Sequence, residues 1–119
     1  FSKLLKQKCL GEPPVFDLIL LGLGDDGHTA SLFPDSDALK IKDCWATVAS
    51  GKGQERITLT SSVLSAARKV VFLVSGNSKQ IALKRLLDPA ESSFRTPARL
   101  VQPLSEIIVL ADESATALL

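Results

Sequence analysis

The chain has no tyrosine, no methionine, one tryptophan, one histidine and two cysteines among its 119 residues. Each scarcity removes a class of function. A nucleic-acid surface needs aromatic platforms or a concentrated basic stripe, whereas lysine and arginine are scattered here and the formal net charge is +1. No nucleic-acid partner is expected. The longest apolar runs, around Ile19 to Leu21 and Val70 to Val74, fall far short of the roughly 20 residues that a helical membrane span requires. No membrane partner is expected, and no secretory leader is visible. Cys9 and Cys44 are not closely spaced with each other or with His28, so no metal site is expected. Cysteines in such a chain are expected to be free and reduced, which fits a cytoplasmic location.

What remains is apolar and evenly charged. A content of 45% hydrophobic and 23% charged residues is ordinary for a folded domain with its own core. Residues 1–119 are read as a single domain. The informative segment is FDLILLGLGDDGHTASLFP, Phe16 to Pro34. An apolar run breaks at Gly22-Leu23-Gly24-Asp25-Asp26-Gly27, and the sole histidine, His28, follows at once. This order predicts a buried strand, a glycine-permitted turn and a polar site at the strand's carboxyl end, where open α/β sheets bind ligands.

Gly22, Gly24 and Gly27 also fit G-x-G-x-x-G after a strand, so a dinucleotide fold must be weighed. Asp25 and Asp26 count against it, because they set negative charge where a pyrophosphate needs bare N–H groups. Asp43 lies near the distance expected for a ribose-binding acid, but in the charged stretch Lys40 to Asp43 rather than at a strand end.

The rest of the chain alternates strand and helix. Leu4 to Leu10 reads as the end of a helix stopped by Gly11-Glu12-Pro13-Pro14. Phe16 to Leu21 reads as a strand, Thr29 to Phe33 as a short helix, and Pro34 to Asp43 as a loop. Cys44 to Ala49 and Arg56 to Thr60 read as strands around the turn Gly51-Lys52-Gly53. Ser61 to Arg68 predicts a helix with serine caps. Lys69 to Val74 predicts an apolar strand ended by Ser75-Gly76-Asn77, and Ser78 caps a helix through Leu87 whose face carries Ile81, Ala82 or Leu83, Leu86 and Leu87. Glu106 to Ala111 predicts the last strand and Glu113 to Leu119 the last helix. The alternation implies an α/β fold with parallel pairing, right-handed crossovers and strands buried on both faces.

The string GDDGHTASLFP resembles the signature of the 6-phosphogluconolactonase family. The resemblance continues through ERITLT (Glu55 to Thr60), VLSAARKVVFLVSGNSK (Val63 to Lys79), PARLVQP (Pro97 to Pro103) and Asp112. Related glucosamine-6-phosphate deaminases share the glycine turn but continue with an Asn-Glu-Pro type sequence and normally carry a second histidine. The resemblance implies a Rossmann-like, mostly parallel open sheet with flanking helices. It also implies hydrolysis of 6-phospho-D-glucono-1,5-lactone to 6-phosphogluconate, with no cofactor. Family members are longer and carry a Gly-rich phosphate loop before this region, so the chain is read as the carboxyl-terminal portion of such an enzyme, an incomplete domain open to self-association.

The resemblance also assigns residues. His28 is implied as the base that activates water, a task suited to an imidazole titrating near neutral pH. Asp26 is implied to orient it, though an aspartate here equally suits an Asx turn. Gly24 and Gly27 are expected to bring backbone N–H groups toward the oxyanion. Lys79 is implied to bind the substrate phosphate, and Arg56 to lie near the substrate, where it could equally be a solvated strand charge. Asp25 reads as an incidental charge, and Lys52 as an ordinary surface one. The alternatives are a deaminase or isomerase of the related type and a catalytically inactive α/β fragment.

Overall fold

The computed structural model describes residues 1–8 and 11–119. The strands are β1 (Ile19–Gly22), β2 (Ala46–Gly51), β3 (Gln54–Leu59), β4 (Lys69–Val74) and β5 (Glu106–Ala111), and the α-helices are α1 (Ser2–Lys8), α2 (Ser61–Ala66) and α3 (Gln80–Leu87). β1, β4 and β5 form one sheet in the order β1-β4-β5, every pair parallel, while β2 and β3 form an antiparallel hairpin. The α/β expectation therefore holds. β4 and β5 occupy the expected residues; β1 begins at Ile19 rather than Phe16. The expected reach of the first helix past Lys8, and Cys9 with it, lie outside the described residues.

Register decides where the core sits. Ile19 pairs with Val70, Leu21 with Phe72, and Phe72 with Val109, so these side chains share one face. Val70 and Phe72 are fully buried there in a cluster with Leu32, Leu64, Leu83 and Val101. Each such side chain contributes about 1.5–3 kcal/mol. The opposite face is covered only in part: Val71 is buried there, but its neighbours are not. Leu20, Leu73 and Leu110 are 60%, 49% and 56% exposed, which corrects the expectation of strands buried on both faces. On α3 the buried positions are Ala82 and Leu83, whereas Ile81 and Leu87 are exposed.

The expected hairpin forms with shifted bounds: β2 starts at Ala46 and includes Gly51, β3 starts at Gln54, and only Lys52-Gly53 make the turn. Lys52 and Gly53 both have positive φ, 55° and 75°, the backbone that a two-residue turn needs to match strand twist. Thr60 fastens the hairpin base, its hydroxyl donating to the Cys44 carbonyl at 2.7 Å and its N–H to the Trp45 carbonyl at 3.0 Å. Thr60, not a serine, stands at the N-cap of α2. Ser78 likewise lies inside a 3-10 turn, Asn77–Lys79, that precedes α3.

Two expected helices do not form. Thr29 to Phe33 is a turn closed by a Thr29–Leu32 bridge, because Ala30 adopts φ 51° and a right-handed helix cannot pass through a left-handed residue. Glu113 to Leu119 is a run of single turns, with N–H bonds from Ala115 to Asp112 and from Thr116 to Glu113. Of this stretch only Ala115 is fully buried, so little packing offsets the cost of helix nucleation.

Candidate active site

β1 ends at Gly22, and the turn that follows is built around His28. The Gly24 N–H donates to the His28 carbonyl at 2.8 Å, and the Gly27 N–H donates to the Gly24 carbonyl at 2.9 Å. Both glycine amides are thus engaged inside the turn. The glycines serve clearance. A Cβ on Gly24 would overlap the His28 ring and come 2.8 Å from Asp26 Oδ1. Gly27 has φ 90°, and a Cβ there would press on the Thr96 backbone at 3.1 Å. Beneath the turn, the Ala98 N–H donates to the Gly27 carbonyl at 3.1 Å, and the Thr29 hydroxyl donates to the Gly22 carbonyl at 2.8 Å.

Asp26 grips His28 twice. Its Oδ1 accepts the His28 backbone N–H at 3.0 Å and lies 2.6 Å from the ring Nδ1. Burial alone would raise the Asp26 carboxyl, but the His28 N–H and imidazole, with Lys52 3.9 Å from Oδ2, outweigh it and hold the group below the ordinary carboxylate range. An ionised carboxylate offers only acceptors, so Nδ1 must donate. In the neutral ring the lone pair then sits on Nε2, free to take a proton.

The ring is also held from the side. Phe33 packs on His28 with centroids 4.7 Å apart and planes tilted 37°. The Arg56 guanidinium carbon lies 5.6 Å from the Phe33 ring centre, within cation–π range. Gly51 completes the seat, since any Cβ there would overlap the Phe33 ring. The Arg56 Nε is buried without a hydrogen-bond partner among the described residues. Arg56 therefore reaches the site through Phe33 rather than lining the cleft.

An open cleft of about 370 Å³ is lined by Gly22, Leu23, Gly24, His28, Thr29, Ala30 and Lys79. Lys79 arrives from the turn after β4, and its Nζ lies 2.8 Å from Asp25 Oδ1. Asp25 is therefore a partner rather than an incidental charge, and Lys52 is a surface charge that lies beside Asp26. His28, Asp26, Gly24 and Lys79 come together as expected, with Gly27 in the same turn and Arg56 one ring away. Sequence reasoning left Asp25, Lys52, Phe33, Gly51 and Thr96 without a part. Phe33 stood inside the signature string and Gly51 was a turn glycine, but nothing in the sequence marked Thr96.

The profile of the family described as glucosamine-6-phosphate isomerases/6-phosphogluconolactonase matches residues 1–110. The chain belongs to that family. It is 52% identical over 105 residues to the 6-phosphogluconolactonase of Synechocystis, an alignment covering 88% of this chain and 44% of that protein. With the human 6-phosphogluconolactonase it shares 42% over 124 residues, covering 100% of this chain and 48% of that one. The three-dimensional structure of the Trypanosoma brucei 6-phosphogluconolactonase superposes with a TM-score of 0.80 at 30% identity, over 96% of this chain and 49% of that one. A monomeric glucosamine-6-phosphate deaminase superposes at 0.68 with 23% identity, a likeness of fold alone. The chain spans about half the length of the curated relatives it matches. Among the described residues no helix is long and apolar enough to cross a membrane.

Proposed function

We propose that this chain carries the catalytic base of an enzyme that hydrolyses 6-phospho-D-glucono-1,5-lactone to 6-phosphogluconate. The observation that carries the reading is the 2.6 Å Asp26–His28 pair, set at the carboxyl end of β1 beside the Lys79 ammonium. Nε2 of His28 takes a proton from water as the water oxygen attacks the lactone carbonyl. The tetrahedral adduct then collapses, the ring C–O bond breaks, and the proton passes to the departing ring oxygen. Asp26 holds the tautomer and balances the transient imidazolium. Lys79 receives the substrate phosphate as a charge-assisted contact. Phe33, backed by Arg56, keeps the imidazole plane fixed, while Gly24 and Gly27 leave it room.

The deaminase or isomerase alternative is less well supported, since the chain contains one histidine and the relatives named above by sequence are lactonases. A cytoplasmic location and a single domain over 1–119 remain part of the proposal. So does self-association of the chain through the exposed Leu20, Leu73 and Leu110, since exposed apolar surface favours association. The chain on its own is expected to show little lactonase activity, because misplacement of a substrate is costly in rate.

The test is His28→Asn in a polypeptide of the relatives' full length. Turnover at saturating lactone, corrected for spontaneous hydrolysis, is expected to fall by ~10²- to 10⁴-fold. Near-unchanged turnover would remove His28 from the base role.

A further inference from the structure

The Lys79 side chain is 26% exposed and forms part of the cleft wall, while its partner Asp25 is 63% exposed and is not among the cleft-lining residues. The pair joins the β1 turn to the turn after β4, and at 2.8 Å it is a full charge-assisted hydrogen bond. An ammonium so held is ordered while the cleft is empty, but it is already neutralised. A dianionic ligand group arriving at Lys79 must either displace the Asp25 carboxylate or share the ammonium with it. The Asp26 carboxylate stands next in sequence, itself engaged by His28 and Lys52. Nothing in the lactone chemistry requires a carboxylate at Asp25, yet the turn presents one to the one lysine that lines the cleft.

We propose that Asp25 is an affinity-setting residue, an internal competitor that occupies Lys79 and lowers the affinity of the cleft for phosphorylated ligands. It lowers the gain from every anion that needs the Lys79 ammonium, a sugar phosphate included. A sugar phosphate, which adds contacts through its ring, still binds. This inference rests on the reading of Lys79 as the phosphate anchor.

The experiment uses polypeptides of the relatives' full length and 6-phosphogluconate as the probe, with gluconate as the unphosphorylated control. Binding is measured by calorimetry for wild type, Asp25→Asn, Asp25→Ala, Lys79→Ala and the Asp25→Asn/Lys79→Ala pair. Both Asp25 variants are expected to bind 6-phosphogluconate roughly two- to fivefold more tightly, the scale of one exposed ion pair. The gain is expected to shrink at high salt through screening, to be absent with gluconate, and to vanish in the Lys79→Ala background. If Lys79→Ala weakens binding while both Asp25 variants bind no more tightly than wild type, Asp25 is not a competitor and the proposal falls alone. If Lys79→Ala leaves 6-phosphogluconate binding unchanged, the anchor reading falls and takes the proposal with it.

Discussion

Two aspartates stand just beyond the carboxyl ends of parallel strands in this sheet, and they serve different ends. Asp26, after β1, accepts from a backbone N–H and from the ring of a titratable residue. Asp112, after β5, accepts the Ser75 hydroxyl at 2.6 Å, the Gly76 N–H at 3.1 Å and the Ala115 N–H at 2.9 Å. Both carboxyls are held below the ordinary carboxylate range. For Asp112 the causes are the Ser75 hydroxyl first, then the Gly76 and Ala115 amides; for Asp26 burial opposes the shift and His28 carries it. One carboxylate is coupled to a group that can exchange protons with a ligand, the other only to groups that fix chain direction. The partners of the carboxylate, not its place at the sheet edge, separate the proposed chemistry from architecture.

Breaking the tighter side of this comparison gives the largest effect after loss of His28 itself. Gly24→Ala forces a methyl into the space of the His28 ring, so the imidazole must swing away from Asp26. Turnover is expected to drop by roughly 10²-fold, the scale of a misplaced catalytic group, with far-ultraviolet circular dichroism close to wild type. Steady-state kinetics beside the spectrum check it. Lys79→Ala comes next. A remote charge contact exists in ground state and transition state alike, so KM for the lactone should rise roughly tenfold or more while kcat changes little. An equal loss on an unphosphorylated lactone would deny Lys79 the phosphate.

The Asp112 side of the comparison predicts a smaller effect, and on stability. Because its carboxyl is depressed in the folded chain, the unfolded chain binds more protons between the folded value and the ordinary one of roughly 3.9. The stabilisation is complete above that ordinary value and is lost as pH falls through the folded one. Asp112→Asn should lower the melting temperature by a few degrees at pH 7, and the decline of melting temperature from pH 5 toward pH 2 should become shallower. Thermal melts across that range measure both.

Much of the scaffold was legible before the structure. Val70 to Val74 and Ile107 to Ala111 are continuous apolar runs, each behind one charged residue, and the strands have the expected bounds Lys69–Val74 and Glu106–Ala111. The hairpin was readable because Gly51-Lys52-Gly53 leaves one compact way to reverse the chain. His28 and Asp26 were readable through the signature string. Thr29 to Phe33 was misread because composition does not show that Ala30 turns left-handed and that Thr29 bonds back to Gly22. The Asp25–Lys79 pair and the Arg56–Phe33–His28 stack join residues distant in sequence. Only the parallel register of β1 and β4 brings the first pair together, and only the fold of the hairpin over the β1 turn brings Arg56 to Phe33. The partly covered sheet face escaped the reading because an apolar strand looks the same whether one or both faces are covered.

The most direct measurement is turnover of Asp26→Asn and Asp112→Asn side by side, at saturating lactone, in polypeptides of the relatives' full length. Asp26→Asn should lose at least roughly tenfold, a part of the ~10²–10⁴ that a general base supplies, because an amide no longer fixes the tautomer of His28. Asp112→Asn should keep turnover close to wild type below its melting temperature. Equal losses in the two variants, or full turnover in Asp26→Asn, would contradict the assignment of Asp26 to the chemistry and of Asp112 to the fold.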